Sequence, residues 1–162
     1  MSPVESADRL EMNLRNLHLA AVIVCVSTIY ASGQLVGKVF SIADGDTFTM
    51  VVNNEQVKVR LHGIDCPERG QNYSNIAKDF LSGMVFGEVV VVREMDIDRY
   101  GRTIGMVTVD GVNVNEWLLQ AGLAWHYKKY DNNPDWAKFE EVARSKKMGL
   151  WADPKPIAPW DW

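Results

Sequence analysis

The chain has little of what marks a disulfide scaffold, a zinc protein or a basic nucleic-acid binder. Two cysteines occur in 162 residues, Cys25 and Cys66, and three histidines, His18, His62 and His126. Neither His62 nor His126 has a second histidine at metal-ligand spacing, which argues against a zinc site. Net charge is -4, so no global basic field announces a nucleic-acid partner, and any grip on phosphate has to be local. An acidic balance counts against a tight, non-catalytic DNA binder. It counts less against an enzyme that recruits its own divalent cation. No apolar run reaches the length of a comfortable membrane span, and neither internal repeats nor low-complexity linkers are present. What remains is a chain that is 47% hydrophobic, enough for one proper core and, by default, one domain.

The longest apolar run is Leu17 to Tyr30 (LHLAAVIVCVSTIY), a good length for the core of a secretory signal. Ala31-Ser32-Gly33 supplies the small residues of a cleavage site just before Gln34. The segment ahead of it is unlike an export signal, because Glu5, Asp8 and Glu11 outnumber Arg9 and Arg15. Translation from Met12 would give the short, basic leader MNLRNLH instead. Three parts are therefore expected. Residues 1–33 read as a signal peptide or, alternatively, an uncleaved N-terminal anchor. Residues 34–151 form the domain, and residues 152–162 a Pro/Trp-rich tail. The expected location is secreted or periplasmic, or envelope-bound if the leader is kept. Without the leader Cys66 stands alone, so no intramolecular disulfide is available and the core must hold the domain.

Strands come first and helices later. Val36 to Ile42 and Thr47 to Val52 are β-rich and separated by the Asp44-Gly45 turn signal, and Asn53-Asn54 tightens a hairpin into Gln56 to His62. In that third strand Val57, Val59 and Leu61 alternate with Lys58, Arg60 and His62, which puts Arg60 on the polar face and makes His62 a surface residue. The four-residue spacing of Ile76, Phe80 and Met84 predicts a helix over 72–85 with that stripe buried. Val89 to Val92 and Ile104 to Val109 are two further strands. Asn113 and Glu116 make a capping box for a short helix closed by Gly122. Asn133-Pro134 starts a last helix, with Trp136, Phe139 and Ala143 inward and Gly149 at its end. Arg144, Lys146 and Lys147 read as its solvated, dipole-compatible end. Whether Trp160 and Trp162 fold back on the domain is left open. Five strands with a helix between the third and fourth, then two more helices, point to a β-rich α+β fold, a five-stranded OB-type barrel with about three helices.

The chemistry concentrates in three short pieces. Asp44-Gly45-Asp46-Thr47 and Arg60-Leu61-His62-Gly63-Ile64-Asp65-Cys66-Pro67-Glu68 put four carboxylates and an arginine close together in sequence. Asp98-Arg99-Tyr100-Gly101-Arg102 adds a second arginine. Carboxylates to hold a hard cation and guanidiniums to grip a phosphodiester are what metal-assisted phosphoester hydrolysis requires. Each piece has a bland counterpart. The aspartates flanking Gly45 could be turn-formers, Arg60 a solvated strand residue and Glu68 an ordinary loop acid. One mechanism accounts for all three together, and Asp44 alone is read as structural.

In these motifs, at these spacings, the chain resembles the thermonuclease (staphylococcal nuclease-like) family from about Val36 to Trp151. Val112-x-Val114-Asn115-x-x-Leu118 and Gly122-Leu123-Ala124 add to the resemblance. It implies an OB-fold endonuclease, a hydrolase of DNA and RNA, that binds one Ca²⁺ ion, with other divalent ions left open, and leaves 3′-phosphate ends. No obligate protein partner is evident from the sequence, and a monomer is the default. It implies that Asp46 and Asp65 hold the metal with the Cys66 backbone carbonyl as a further oxygen. Many relatives carry threonine at the Cys66 position, a swap to which a backbone ligand is indifferent. Arg60 and Arg102 would clamp the scissile phosphate, and Glu68 would act as base or position the attacking water. Arg99, Tyr100 and, more loosely, Tyr127 would contact the substrate. The alternative is a catalytically silent OB-fold module binding single-stranded nucleic acid, which would not need Arg60, Glu68 and Arg102 together.

Overall fold

The computed structural model describes residues 33–162, so the expectations for the leader and its cleavage lie outside the described residues. Within them the chain runs β1 (Gln34–Ile42), β2 (Thr47–Val52), β3 (Glu55–Leu61), β4 (Ile64–Asp65), α1 (Ser74–Val85), β5 (Val89–Ile97) and β6 (Thr103–Val109). It continues with β7 (Val112–Asn113), α2 (Val114–Gln120), β8 (Trp125–His126) and α3 (Pro134–Ser145), and two 3-10 turns follow. The sheet order is β3-β2-β1-β5-β6-β7, and a parallel pairing of β3 with β6 closes the five long strands into a barrel. This is the OB-type barrel with three helices expected from the sequence.

Local chemistry accounts for the joints. Asn53 and Asn54 both adopt positive φ, 50° and 67°, the pair of values a tight two-residue hairpin needs. Asn113 caps α2 by accepting from the Glu116 N–H at 3.2 Å, and Asn133 caps α3 with Pro134 in its first turn. Inside the barrel Phe48, Met50, Val59, Leu61 and Val107 are sealed from solvent, and each such side chain contributes about 1.5–3 kcal/mol by burial. Asn115 is buried among them and fully used. Its Oδ1 accepts from the Val107 N–H at 3.0 Å, and its Nδ2 donates to the His62 and Gly105 carbonyls at 2.9 and 3.3 Å. It thus rivets α2 to the place where β3 and β6 meet.

Three expectations need correction. The inward row of α1 is Ala77, Leu81 and Val85, whereas Ile76 is 54% exposed. Both rows have four-residue spacing, and the choice is made by Gly45. A Cβ there would lie 2.8 Å from that of Ala77, so two small residues let helix and barrel approach closely. Strand β5 runs on to Ile97, because Arg93 to Ile97 pair across a bulge with β6 despite their charged, exposed character. Helix α3 stops at Ser145, and Gly149 opens a 3-10 turn. Its Arg144 is exposed in the last turn, as expected. It pairs with Glu140 at 3.1 Å and lies 3.8 Å above the Trp151 ring.

Candidate active site

The turn between β1 and β2 delivers Asp46, the end of β3 delivers Arg60, and β4 delivers Asp65. Strand β4 is pinned by antiparallel pairing with β8, Ile64 opposite His126 and Asp65 opposite Trp125. Gly63 makes the corner between β3 and β4 at φ 67°, where a Cβ would lie 2.7 Å from Asp131. These elements bring Asp46, Arg60 and Asp65 together. Arg60 Nη1 lies 3.4 Å from Asp46 Oδ1, and Arg60 Nη2 donates to Asp65 Oδ1. Arg60 is therefore half-buried between two acids instead of standing in water on a polar strand face.

The loop around Asp46 is closely built. Asp44 Oδ1 accepts from the Asp46 N–H at 3.1 Å, which gives Asp44 the structural part expected of it. Asp46 Oδ2 accepts from the Cys66 N–H at 2.9 Å, and Oδ1 accepts from the Thr47 hydroxyl at 3.0 Å. Cys66 is a small buried residue whose thiol donates to the Gly45 carbonyl at 3.3 Å. Burial, and then the nearby aspartates, push the thiol well above its ordinary value, which favours its neutral form.

Charge in this cluster is under-compensated. Burial lifts the Asp46 carboxyl to about 7 against the pull of Arg60, and Asp44 and Asp65 add to the rise. Asp65 is also raised, by burial first, with Arg60 opposing. Burial alone would lower the Arg60 guanidinium, and the two carboxylates more than reverse that. Two desolvated acids thus share one cation. The donor chemistry fits the divalent ion that the resemblance implies, since carboxylate and carbonyl oxygens are hard ligands. Among the described residues no three histidine, cysteine or acidic side chains converge as a ligand set. Side chains would supply Asp46 and Asp65, the Cys66 carbonyl would add an oxygen, and water or phosphate the remainder.

Beside this cluster an open groove of about 820 Å³ is lined by Arg60, His62, Arg99, Tyr100, Arg102 and Tyr127, among others. Arg102 is aimed by Asp98, which accepts from Arg102 Nε at 2.7 Å and from the Arg102 and Tyr100 N–H groups at 2.9 Å. Desolvation works to raise the Asp98 carboxyl, but those hydrogen bonds together outweigh it and hold the carboxyl below its usual range. The Arg99 and Arg102 guanidiniums lie 4.9 and 5.6 Å from the Tyr100 ring centre. Glu68 sits apart from the groove lining, exposed on the loop after Pro67, close enough to Asp65 for its charge to raise that acid. Its N–H donates to Gln71 Oε1 at 2.9 Å.

Several participants were not singled out from sequence. Asp98 was inside a recognised motif, but only the folded turn shows it holding Arg102. His62 is no ordinary surface residue, because it lines the groove with Nε2 3.6 Å from Asp131 Oδ2. His126 reaches the other oxygen of Asp131 at 2.9 Å, so the fold joins two histidines that sequence spacing keeps apart. Between residues 125 and 130, Tyr127, Lys129 and Tyr130 face the groove, whereas Trp125 packs on Trp151 at 4.4 Å. Trp160 folds back and stacks on Tyr127, centroids 4.8 Å apart and planes 13° from parallel.

A closed five-stranded barrel with an acid–arginine cluster at the end of its third strand places the molecule among OB-fold proteins. Comparison with known proteins is more specific. Residues 58–153 match the family model described as "Staphylococcal nuclease homologue". "Protein ParB" of Escherichia coli is 40% identical over 160 residues, covering 92% of this chain and 89% of that protein. "Micrococcal nuclease" of Shigella flexneri is 36% identical over 155 residues, 89% of each chain. An "Uncharacterized endonuclease" of Escherichia coli O157:H7 is 39% identical over 127 residues, 78% of this chain and 83% of its own. The chain belongs to the staphylococcal nuclease homologue family.

Proposed function

We propose that this protein is a divalent-cation-dependent nuclease that hydrolyses phosphodiester bonds of DNA and RNA with little sequence preference. One observation carries the reading. Arg60 is held between two buried carboxylates at the mouth of a groove that also contains Arg102 and Tyr100. Relatives named as a nuclease and an endonuclease point the same way.

In this mechanism Arg60 and Arg102 bond the non-bridging oxygens of the scissile phosphate. A planar fork can place two parallel bonds and keeps its charge as the phosphate gains negative charge. Asp98 aims Arg102, while Asp46 and Asp65 orient Arg60 and hold the cation. A bound Ca²⁺ ion would polarise the phosphoryl oxygen and favour attack by water. Glu68 accepts a proton from that water or orients it. Tyr100 and Tyr127 offer faces on which any base can stack, and contacts of that kind carry no sequence code. Attack with departure of the 5′-oxygen leaves 3′-phosphate ends. The apolar run 17–30 supports export, and N-terminal sequencing of protein recovered from the producing cell tests it. A start near Gln34 means cleavage, and an intact Met1 or Met12 means an anchor.

The test of the reaction is product analysis of single-stranded DNA and RNA after incubation with Ca²⁺. Fragments that accept 5′-phosphate from a kinase without pretreatment, and whose 3′ ends need a phosphatase before extension, support the proposal. Strand binding without cleavage under any divalent ion would identify a silent OB-fold module instead.

A further inference from the structure

The tail beyond the family match, residues 154–162, folds back onto Gln71, Trp125 and Tyr127, neighbours of the proposed reaction site. On one side Gln71, 8% exposed, links it to the Glu68 loop. Gln71 Nε2 donates to the Ile157 carbonyl at 2.6 Å, while Gln71 Oε1 accepts from the Glu68 N–H at 2.9 Å. The Gln71 N–H in turn donates to the Glu68 carbonyl at 2.9 Å, so both backbone groups of Glu68 end on this one residue. On the other side Trp160 stacks on Tyr127 and packs edge-on against Trp125, with centroids 5.7 Å apart. Tyr127 faces the groove, and Trp125 pairs with Asp65 across β4 and β8.

From these contacts we infer that the C-terminal segment is a strap of the catalytic apparatus, and that Gln71 is the positioning residue through which it sets Glu68. The inference rests on the proposed role of Glu68. The physical reason is the exposure of that side chain. Glu68 has no side-chain hydrogen bond among the described residues, so the direction in which it presents its carboxylate depends on its backbone, whose N–H and carbonyl both bond to Gln71. An amide is the group the task needs. It presents an acceptor to the loop and a donor to the strap from one planar unit, which neither an acid nor a hydrocarbon can do. Loss of that restraint displaces the carboxylate, and misplacement on the order of 1 Å costs about 10²-fold in rate.

The test is a kinetic cycle on the full chain with Ca²⁺ and single-stranded DNA, using Gln71→Ala, Glu68→Gln and the double variant, with melting temperatures recorded alongside. Gln71→Ala should lower kcat about 10- to 100-fold with KM changed less than about threefold. In the Glu68→Gln background the same change should have almost no further effect, because the residue it positions is already disabled. Gln71→Glu, which keeps the acceptor and loses the donor, and a chain ending at Asp153 should each resemble Gln71→Ala. A Gln71→Ala protein with wild-type kcat, or an equal loss in both backgrounds, overturns the inference and leaves the nuclease reading standing. A Glu68→Gln protein at wild-type rate removes the proposed role of Glu68, and the inference with it, while the cleavage itself leaves the nuclease reading standing.

Discussion

Replacing Asp46 with asparagine should make the protein more stable at neutral pH while it destroys the proposed site. Burial lifts this carboxyl from its ordinary 3.8 to about 7, even with Arg60 at 3.4 Å. The folded protein therefore holds a proton that the unfolded chain has released. Below pH 4 both states are protonated and the acid has no effect on stability. As pH rises from about 4 to about 7 the unfolded state is favoured by about 1.4 kcal/mol per pH unit, and above 7 the penalty is constant. The plateau is on the order of a few kcal/mol. Asparagine has nearly the same shape, keeps an oxygen for the Cys66 N–H, and cannot ionise. Urea unfolding of wild type and Asp46→Asn from pH 4 to 8, without divalent ions, should show the variant's advantage growing through this window and then levelling. Saturating Ca²⁺ should narrow the gap by stabilising the wild type alone, by about 2.7 kcal/mol at 100 times its dissociation constant. A variant destabilised equally at pH 4 and pH 8 would refute the reasoning, as would a Ca²⁺ gain that survives the substitution.

Arg60→Lys should lower kcat by about 10²-fold or more with the fold intact by circular dichroism, because a point charge cannot reproduce a fork between two carboxylates and a phosphate. Asp98→Asn should leave Arg102 less well aimed and reduce kcat about tenfold, and Michaelis kinetics with a chromogenic phosphodiester checks this. Asn115→Ala should destabilise by about 2–4 kcal/mol in urea melts, since it strands the buried Val107 N–H and the carbonyls of His62 and Gly105.

What the sequence disclosed and what it hid divide along one line. Asp46, Arg60 and Asp65 were legible because β-alternation and tight turns act over a few residues, so linear order implied their neighbourhood. The hairpin at Asn53-Asn54 and the cap at Asn113 were legible for the same reason. The inward face of α1 was not, because two rows at the same spacing compete and the decision rests on Gly45, a residue on another element. The contacts of Arg144 with Trp125 and Trp151 were hidden for the same reason, since these partners arrive by tertiary packing. The contact of Gln71 with Ile157 spans 86 positions and follows no period. The meeting of His62 and His126 at Asp131 is of that kind too: β4 pairs with β8 and brings together segments that no spacing rule connects.

The central claim, that Asp46, Asp65, Arg60, Arg102 and Glu68 form one hydrolytic site, is tested most directly by the initial rate of single-stranded DNA cleavage. The purified protein and its Glu68→Gln variant would be assayed with Ca²⁺ and with a chelator, at matched melting temperature. The account predicts cleavage that requires the ion and falls at least about 10²-fold in the variant. Equal rates with and without Glu68, or cleavage indifferent to the chelator, would contradict it.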